Sequence, residues 1–217
     1  MVCTMSMLIK LLPSLLEGAS MSLFIFFGTL LVSYPLSLLF SYLYTLQIKG
    51  LNQLFRFYIM IERGTPLLLQ LMFIYFGLPL LNIAIDRMSS VFIAFILNYV
   101  AYFMEINRGG IESVDKGQEE AAKVLGYSKT QCFRYIILPQ AFKITLPSLG
   151  NEALTLIKDT SLVTVLGVTE LLKVGRNAVN VYATALPFVY VGVIYLIMTS
   201  TCSLIIKKIE SRLSFYR

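Results

Sequence analysis

The chain has 217 residues, 57% hydrophobic and 14% charged, with a mean hydropathy of +0.76 and a net charge of +6. Soluble domains carry roughly 25% charged residues, so this is the composition of a membrane protein. Histidine is absent, and Cys3, Cys132 and Cys202 lie far apart with no CxxC spacing, which argues against His-based catalysis, a zinc site or a disulfide framework.

At the N-terminus Lys10 precedes "LLPSLL" and Glu17 follows it. A compact apolar core with a small-residue cleavage site is missing, so the segment is a poor signal peptide. Gly18 to Ile48 then runs 31 residues without a charge, more than the roughly 20 needed to cross hydrocarbon as a helix. Pro35 lies inside this run and predicts a kink. Gly64–Ile85 and Met88–Met104 are further charge-free runs of 22 and 17 residues, the latter closed by Glu105. Ile144–Thr169 is apolar but holds Glu152, Lys158 and Asp159, and reads as a fourth span with polar content. Asn177–Ile206, 30 residues long, has Pro187 placed to open a helix. The expected spans are thus about 18–46, 64–83, 88–107, 149–170 and 186–207, in a single domain covering 1–217.

Orientation follows from the basic residues. With the N-terminus outside, fourteen fall inside: Lys49, Arg56 and Arg63; Arg108, Lys116, Lys123, Lys129, Arg134, Lys143 and Lys158; Lys207, Lys208, Arg212 and Arg217. Only Lys10, Arg87, Lys173 and Arg176 fall outside. This bias places the C-terminus in the cytoplasm. It also accounts for the net charge without nucleic acid, since the cations form no continuous patch. No internal repeat is evident, which disfavours a secondary transporter of two inverted halves. The 28 tyrosines and phenylalanines suit membrane interfaces.

The stretch 108–148 interrupts the greasy pattern. Arg108-Gly109-Gly110 reads as the end of the third span, where paired glycines let the chain turn. Val114, Ala121, Ala122 and Leu125 then follow helical spacing, with Asp115, Lys116, Glu119, Glu120 and Lys123 on the other face. Gly126 stands where a left-handed cap ends a helix. Ser128 and Gln131 have capping-box spacing for a second helix, which is expected to stop near Pro139. Such a segment either docks a protein or lies on a lipid surface. The acids beside the lysines argue against anionic lipid as the main partner.

"EEAAKVLGYSKTQCFRYIILP" (119–139) resembles the EAA motif of ABC-importer membrane subunits, with Glu120-Ala121-Ala122, Gly126 and Ile137-x-Pro139 in place. "ERGTPLLLQL" (62–71), "MEINRGGIESVDKGQEEA" (104–121), "LPQAFKITLPSLGNE" (138–152) and "KDTSLVTVLGVTEL" (158–171) extend the resemblance to permeases of polar amino acid uptake systems. Met104 departs from the small or acidic residue that relatives often carry. The resemblance implies an all-α transmembrane, type I importer (MetI-like) fold with five transmembrane helices and a cytoplasmic coupling helix. It further implies a bacterial cytoplasmic membrane location, a cytoplasmic ABC ATPase homodimer and an extracytoplasmic substrate-binding protein. A second permease chain, identical or related, would complete the pore in the lipid bilayer. Ala121, Ala122 and Leu125 would pack on the ATPase, Glu120 and Lys123 would fix orientation, and Gly126 would be the contact point. GxxxxGK[ST] is absent from the sequence. The chain is therefore expected not to be an enzyme and to carry no cofactor, with ATP and magnesium on the partner.

Charge within a span is functional or paired. Asp159, with Thr160 and Ser161, is the leading substrate candidate, and the resemblance assigns an aspartate at this motif to the intramembrane amino-acid site. A structural ion pair is the alternative for Asp159, although adjacent Lys158 does not face it on a helix. Glu105 would line the pore or seat the coupling loop. Thr65 and Gln70 flank Pro66, whose freed carbonyls could receive a zwitterion; otherwise they set a helix entry. Glu152 is a second pore acid or a partner of Arg63 or Lys143. The expected function is therefore a polar amino acid importer permease, the alternative a non-transporting scaffold or regulatory subunit that docks an ATPase.

Overall fold

The computed structural model describes residues 2–213, with side chains from residue 6 onward; Cys3 and Arg217 lie outside the described side chains. Every described element is helical. In order these are α1 (Val2–Thr45), α2 (Lys49–Gly64), α3 (Leu67–Met72) followed by a π turn (Phe73–Gly77) and a 3-10 turn (Leu78–Leu81), α4 (Arg87–Glu112), α5 (Lys116–Val124) and α6 (Lys129–Cys132). A second π turn (Phe133–Ile137), α7 (Leu138–Asp159), a 3-10 turn (Thr160–Leu166), α8 (Leu171–Tyr182) and α9 (Leu186–Leu213) complete the chain. Among the described residues, Ser6–Thr45, α4 and α9 are each long and apolar enough to cross a membrane, and α2 with Leu67–Leu81 is a fourth candidate if the pair is one interrupted span.

The helices differ from the sequence reading in four places. The stretch 49–64, read as a loop because of its charges, is helical. It lacks proline and alternates charges with Leu54, Phe55, Phe57 and Ile61, a pattern that a search for uncharged runs passes over. α4 runs straight through Gly109-Gly110 to Glu112 instead of turning there. A Cβ at Gly110 would sit 2.1 Å from Thr145 Cγ2 and 3.1 Å from the Ala141 carbonyl, so this glycine serves a close approach of α4 to α7.

The second amphipathic helix does not stop at Pro139, because α6, its π turn and α7 follow one another without a gap. Proline lacks an N–H and normally confronts the carbonyl four residues back. The π turn removes the conflict by widening the helix just before it, with the Leu138 N–H bonded to the Phe133 carbonyl. Residues 149–170 comprise the second half of α7, the 3-10 turn ended by Gly167 at φ +79°, and the residues leading to α8. α1 continues through Pro35.

The chain divides into two compact units. The first holds residues 2–31, 66–96 and 153–203. Its core joins Leu15 and Ala19 of α1, Leu171 and Val174 of α8, and Val191 of α9. Gly18 lets α1 and α8 touch, since a Cβ there would lie 2.9 Å from the Leu171 Cα. The second unit holds 32–65, 97–152 and 204–213. In it Ser33, Ser37 and Ser41 recur every fourth residue on the buried face of α1, a small-residue seam for helix packing. Asn107 Nδ2 donates to Ser37 Oγ at 3.1 Å, and Tyr34 meets Phe103 edge-on at 5.8 Å.

Replacing Gly110 by alanine is expected to cost about 1–3 kcal/mol through overpacking. Thermal unfolding in detergent would show it, and adding Thr145→Ser, which removes the Cγ2 methyl, should restore most of the loss.

Candidate functional site

In the second unit, Asp115 opens α5 by accepting the Gly117 N–H at 2.6 Å. The helix ends in a left-handed cap. Gly126 has φ +81°, its N–H donates to the Lys123 carbonyl, and the Tyr127 N–H donates to the Ala122 carbonyl, both at 3.0 Å. This paired closure is the Schellman arrangement, which only glycine enters without strain. Ser128 then starts α6 with a complete capping box: Ser128 Oγ accepts from Gln131 N, and Gln131 Oε1 accepts from Ser128 N. The segment is tied down by Tyr42, whose hydroxyl bonds that of Thr130 at 2.8 Å and whose ring lies 4.8 Å from that of Phe133.

The bend presents an apolar tip. Val124 is 87% exposed and Leu125 73%. Glu119, Glu120, Ala121 and Lys123 are also exposed, whereas Ala122 is 1% exposed and packs within its own chain. Val124, not picked out by the sequence, therefore joins Leu125 at the tip. Its place as the last residue of α5, directly before the capping pair Leu125–Gly126, was the available signal. Lys123 pairs with Glu119 at 2.9 Å, one turn away. The hydrogen bond to Glu119 holds its ammonium pKa above the usual lysine range.

Glu105 is half-buried at the centre of a charge cluster. Both its oxygens accept from Arg108, at 2.9 and 2.8 Å, and Arg63 approaches at 3.4 Å. Arg108 also reaches Glu112 at 2.7 Å, and the Arg63 guanidinium lies over the Tyr102 ring. Arg63 is thus paired with Glu105.

The carbonyls near Pro66 have donors in the same unit. Thr65 Oγ1 donates to the Ile61 carbonyl at 2.9 Å and Asn98 Nδ2 to that of Glu62 at 3.1 Å. Pro66 itself caps α3, its carbonyl accepting from Leu69 and Gln70. Glu152 is half-buried on α7 in this second unit.

Asp159, Thr160, Ser161 and Gln70 lie in the first unit. Asp159 is half-buried at the last position of α7. Thr160 is fully buried and donates to the Ile157 carbonyl at 2.7 Å, and Ser161 donates to that of Lys158 at 2.8 Å. Sequence reasoning missed a fully buried acid, Glu170, which caps α8 by accepting from the Leu172 and Lys173 N–H groups at 2.7 Å each. Its place before an amphipathic helix was the signal.

Residues 46–215 match the family described as the binding-protein-dependent transport system inner membrane component. The chain belongs to that family. It is 38% identical over 205 residues to the glutamine transport system permease protein GlnP of Escherichia coli K12, covering 93% of this chain and 94% of the relative. It is 36% identical over 204 residues to the arginine transport system permease protein ArtQ of Bacillus subtilis, covering 93% of each. The crystal structure of an amino acid ABC transporter with histidines superposes with a TM-score of 0.86 at 34% identity, covering 94% of this chain and 96% of that one. An inward-facing MetNI methionine ABC transporter gives 0.72 at 17% identity, covering 94% and 95%, and supports the fold alone. The chain is thus a membrane permease subunit of an ABC importer with the all-α MetI-like fold.

Glu105→Gln is expected to destabilise the second unit by about 1 kcal/mol, because charge-assisted bonds to Arg108 and Arg63 weaken together at a partly screened site. Glu119→Gln, removing an exposed one-turn pair, should cost at most about 0.5 kcal/mol. Thermal unfolding of the two variants side by side checks the order.

Proposed function

We propose that this permease moves a polar L-amino acid, of the glutamine or arginine kind that its named relatives carry or a cystine-like one, inward across the bacterial cytoplasmic membrane. A separate cytoplasmic ATPase pair, holding ATP and magnesium, drives it. An extracytoplasmic binding protein delivers the solute, and a second permease chain, identical or related, completes the pore. The N-terminus lies outside and the C-terminus inside, an orientation that rests on the distribution of basic residues. Five spans follow, with α7 and its 3-10 turn as the fourth.

The observation that carries this reading is the protruding bend between α5 and α6. A tight Schellman closure puts two apolar side chains, Val124 and Leu125, in solvent. Exposed apolar groups on a stiff turn are suited to a partner's cleft. Glu120, Ala121, Lys123 and Gly126 would border the same contact. ATPase closure would then move the bend and rock the helices continuous with it. α7 adjoins α6 through the π turn and ends in Asp159, so one helix joins the driven end to the candidate substrate end.

Asp159 is proposed to meet the α-ammonium or a cationic side chain of the solute. An acid near hydrocarbon is stabilised by such a cation. Ser161 and Gln70 would add polar contacts. Glu152, on the same helix, is retained as a further pore acid, and Glu105 and Thr65 as residues that shape the route without touching solute.

Val124→Glu or Leu125→Glu should reduce ATPase co-purification at least tenfold while the permease still inserts. Gly126→Trp should abolish uptake with insertion intact. ATPase recovery equal to wild type in all three would remove the bend from the docking role. In vesicles reconstituted with the ATPase and binding protein, Asp159→Asn should lower ATP-dependent uptake by about tenfold or more, as expected when a buried charge loses its partner. Uptake of glutamine, arginine and cystine at wild-type rates would exclude Asp159 from the site.

A further inference from the structure

We infer that Glu170 and Tyr195 are positioning residues for the Asp159–Ser161 turn: they fix where Asp159 stands without meeting the solute. The inference rests on the proposed role of Asp159 and extends it to the residue that caps α8 and a tyrosine of α9.

The Glu170 side chain is fully buried. Both its oxygens are engaged, Oε1 by the Lys173 N–H and Oε2 by the Leu172 N–H and by the Tyr195 hydroxyl at 3.1 Å. One carboxylate therefore ties the start of α8 to the middle of α9. Tyr195 reaches further. The Thr160 and Ser22 hydroxyls lie beside its oxygen. Ser22, also fully buried, accepts from the Leu171 N–H at 3.5 Å.

Thr160 is the residue that follows Asp159, and it too has no exposed surface. It cannot contact a solute in this arrangement, so its usefulness lies in holding its neighbour. The 3-10 turn Thr160–Leu166 is thereby held at both ends. At its start Thr160 lies against Tyr195. At its close Gly167, at φ +79°, takes the Lys173 ammonium on its carbonyl. Lys173 is also one of the two backbone donors to Glu170.

A simple helix cap needs only the two backbone donors. A serine or aspartate at an exposed N-terminus satisfies them without a phenol. The third bond, from a tyrosine that also abuts Thr160, is the part the capping role leaves over. Placing a recognition group within a fraction of an ångström requires such support from behind.

The test is a double-mutant cycle on the permease–ATPase complex in lipid nanodiscs, without binding protein, measuring equilibrium binding of labelled L-glutamine, L-arginine and L-cystine. Tyr195→Phe keeps the ring and removes the hydroxyl, and Glu170→Gln keeps the shape. Each is expected to weaken binding about tenfold, while thermal unfolding moves little for Tyr195→Phe. In an Asp159→Asn background, Tyr195→Phe should cause no further loss, because residues acting through one another are not additive. Wild-type affinity in Tyr195→Phe, or losses that simply add, would overturn the positioning role even with Asp159 essential. If Asp159→Asn binds like wild type, or the wild type binds none of the three probes, the Asp159 reading itself fails and this inference falls with it.

Discussion

Hydrocarbon offers no water to a backbone group whose helical partner is missing, so an interrupted helix in a membrane protein has to supply a replacement. Most of the notable side chains here answer that demand. At the break between α2 and α3, Thr65 and Asn98 take the Ile61 and Glu62 carbonyls. At the entry to α8, Glu170 and Ser22 accept the first amide groups. At Pro139, where no amide exists, the helix widens into a π turn instead. Polar residues in these spans are therefore first of all backbone partners, and a solute-binding role must be argued for what remains.

That distinction sorts the acids. Glu105 has both oxygens engaged by arginine, and Glu170 is sealed behind a helix N-terminus. Asp159 is different in position: it sits half-exposed at the end of α7, just where regular α-helix gives way to a 3-10 turn.

Local chemistry was legible in the sequence. The Schellman closure at Gly126 and the Ser128–Gln131 capping box were both readable, because each is decided within about six residues. The family motif lay over the same segment. What the sequence hid was decided at a distance. Gly109-Gly110 has the look of a break, but Gly110 is required by Thr145, thirty-five residues on. Ala122 matches a docking surface by spacing, yet its side chain is buried at home. α2 and α8 escaped because their charges, taken as loop markers, lie on one face of amphipathic helices. Glu170 escaped for a related reason: an acid directly after the apolar stretch 144–169 looks like an interface residue until α9 brings Tyr195 to it.

The chemistry of the two proposed working ends differs in a way that follows from what each must do. A surface that must be gripped and moved by another protein does best with little charge and little freedom. The tip provides this, with Val124 and Leu125 projecting from a turn closed by two backbone hydrogen bonds, while Glu119 and Lys123 beside it pair with each other. A site that must admit and release a zwitterion needs the opposite, a charge left partly uncovered but with its backbone immobilised. Residues 159–161 meet that requirement, since the buried Thr160 contributes restraint while Asp159 and Ser161 on either side keep partial exposure. From just beyond the tip, α6, the π turn and α7 follow one another without a gap to Asp159. The interior Pro147 of α7 lies in the helical run while Thr145 turns its hydroxyl back onto the Ala141 carbonyl. On the proposed reading, the docking bend and Asp159 therefore belong to one run of helix, broken only by the turn at Gly126.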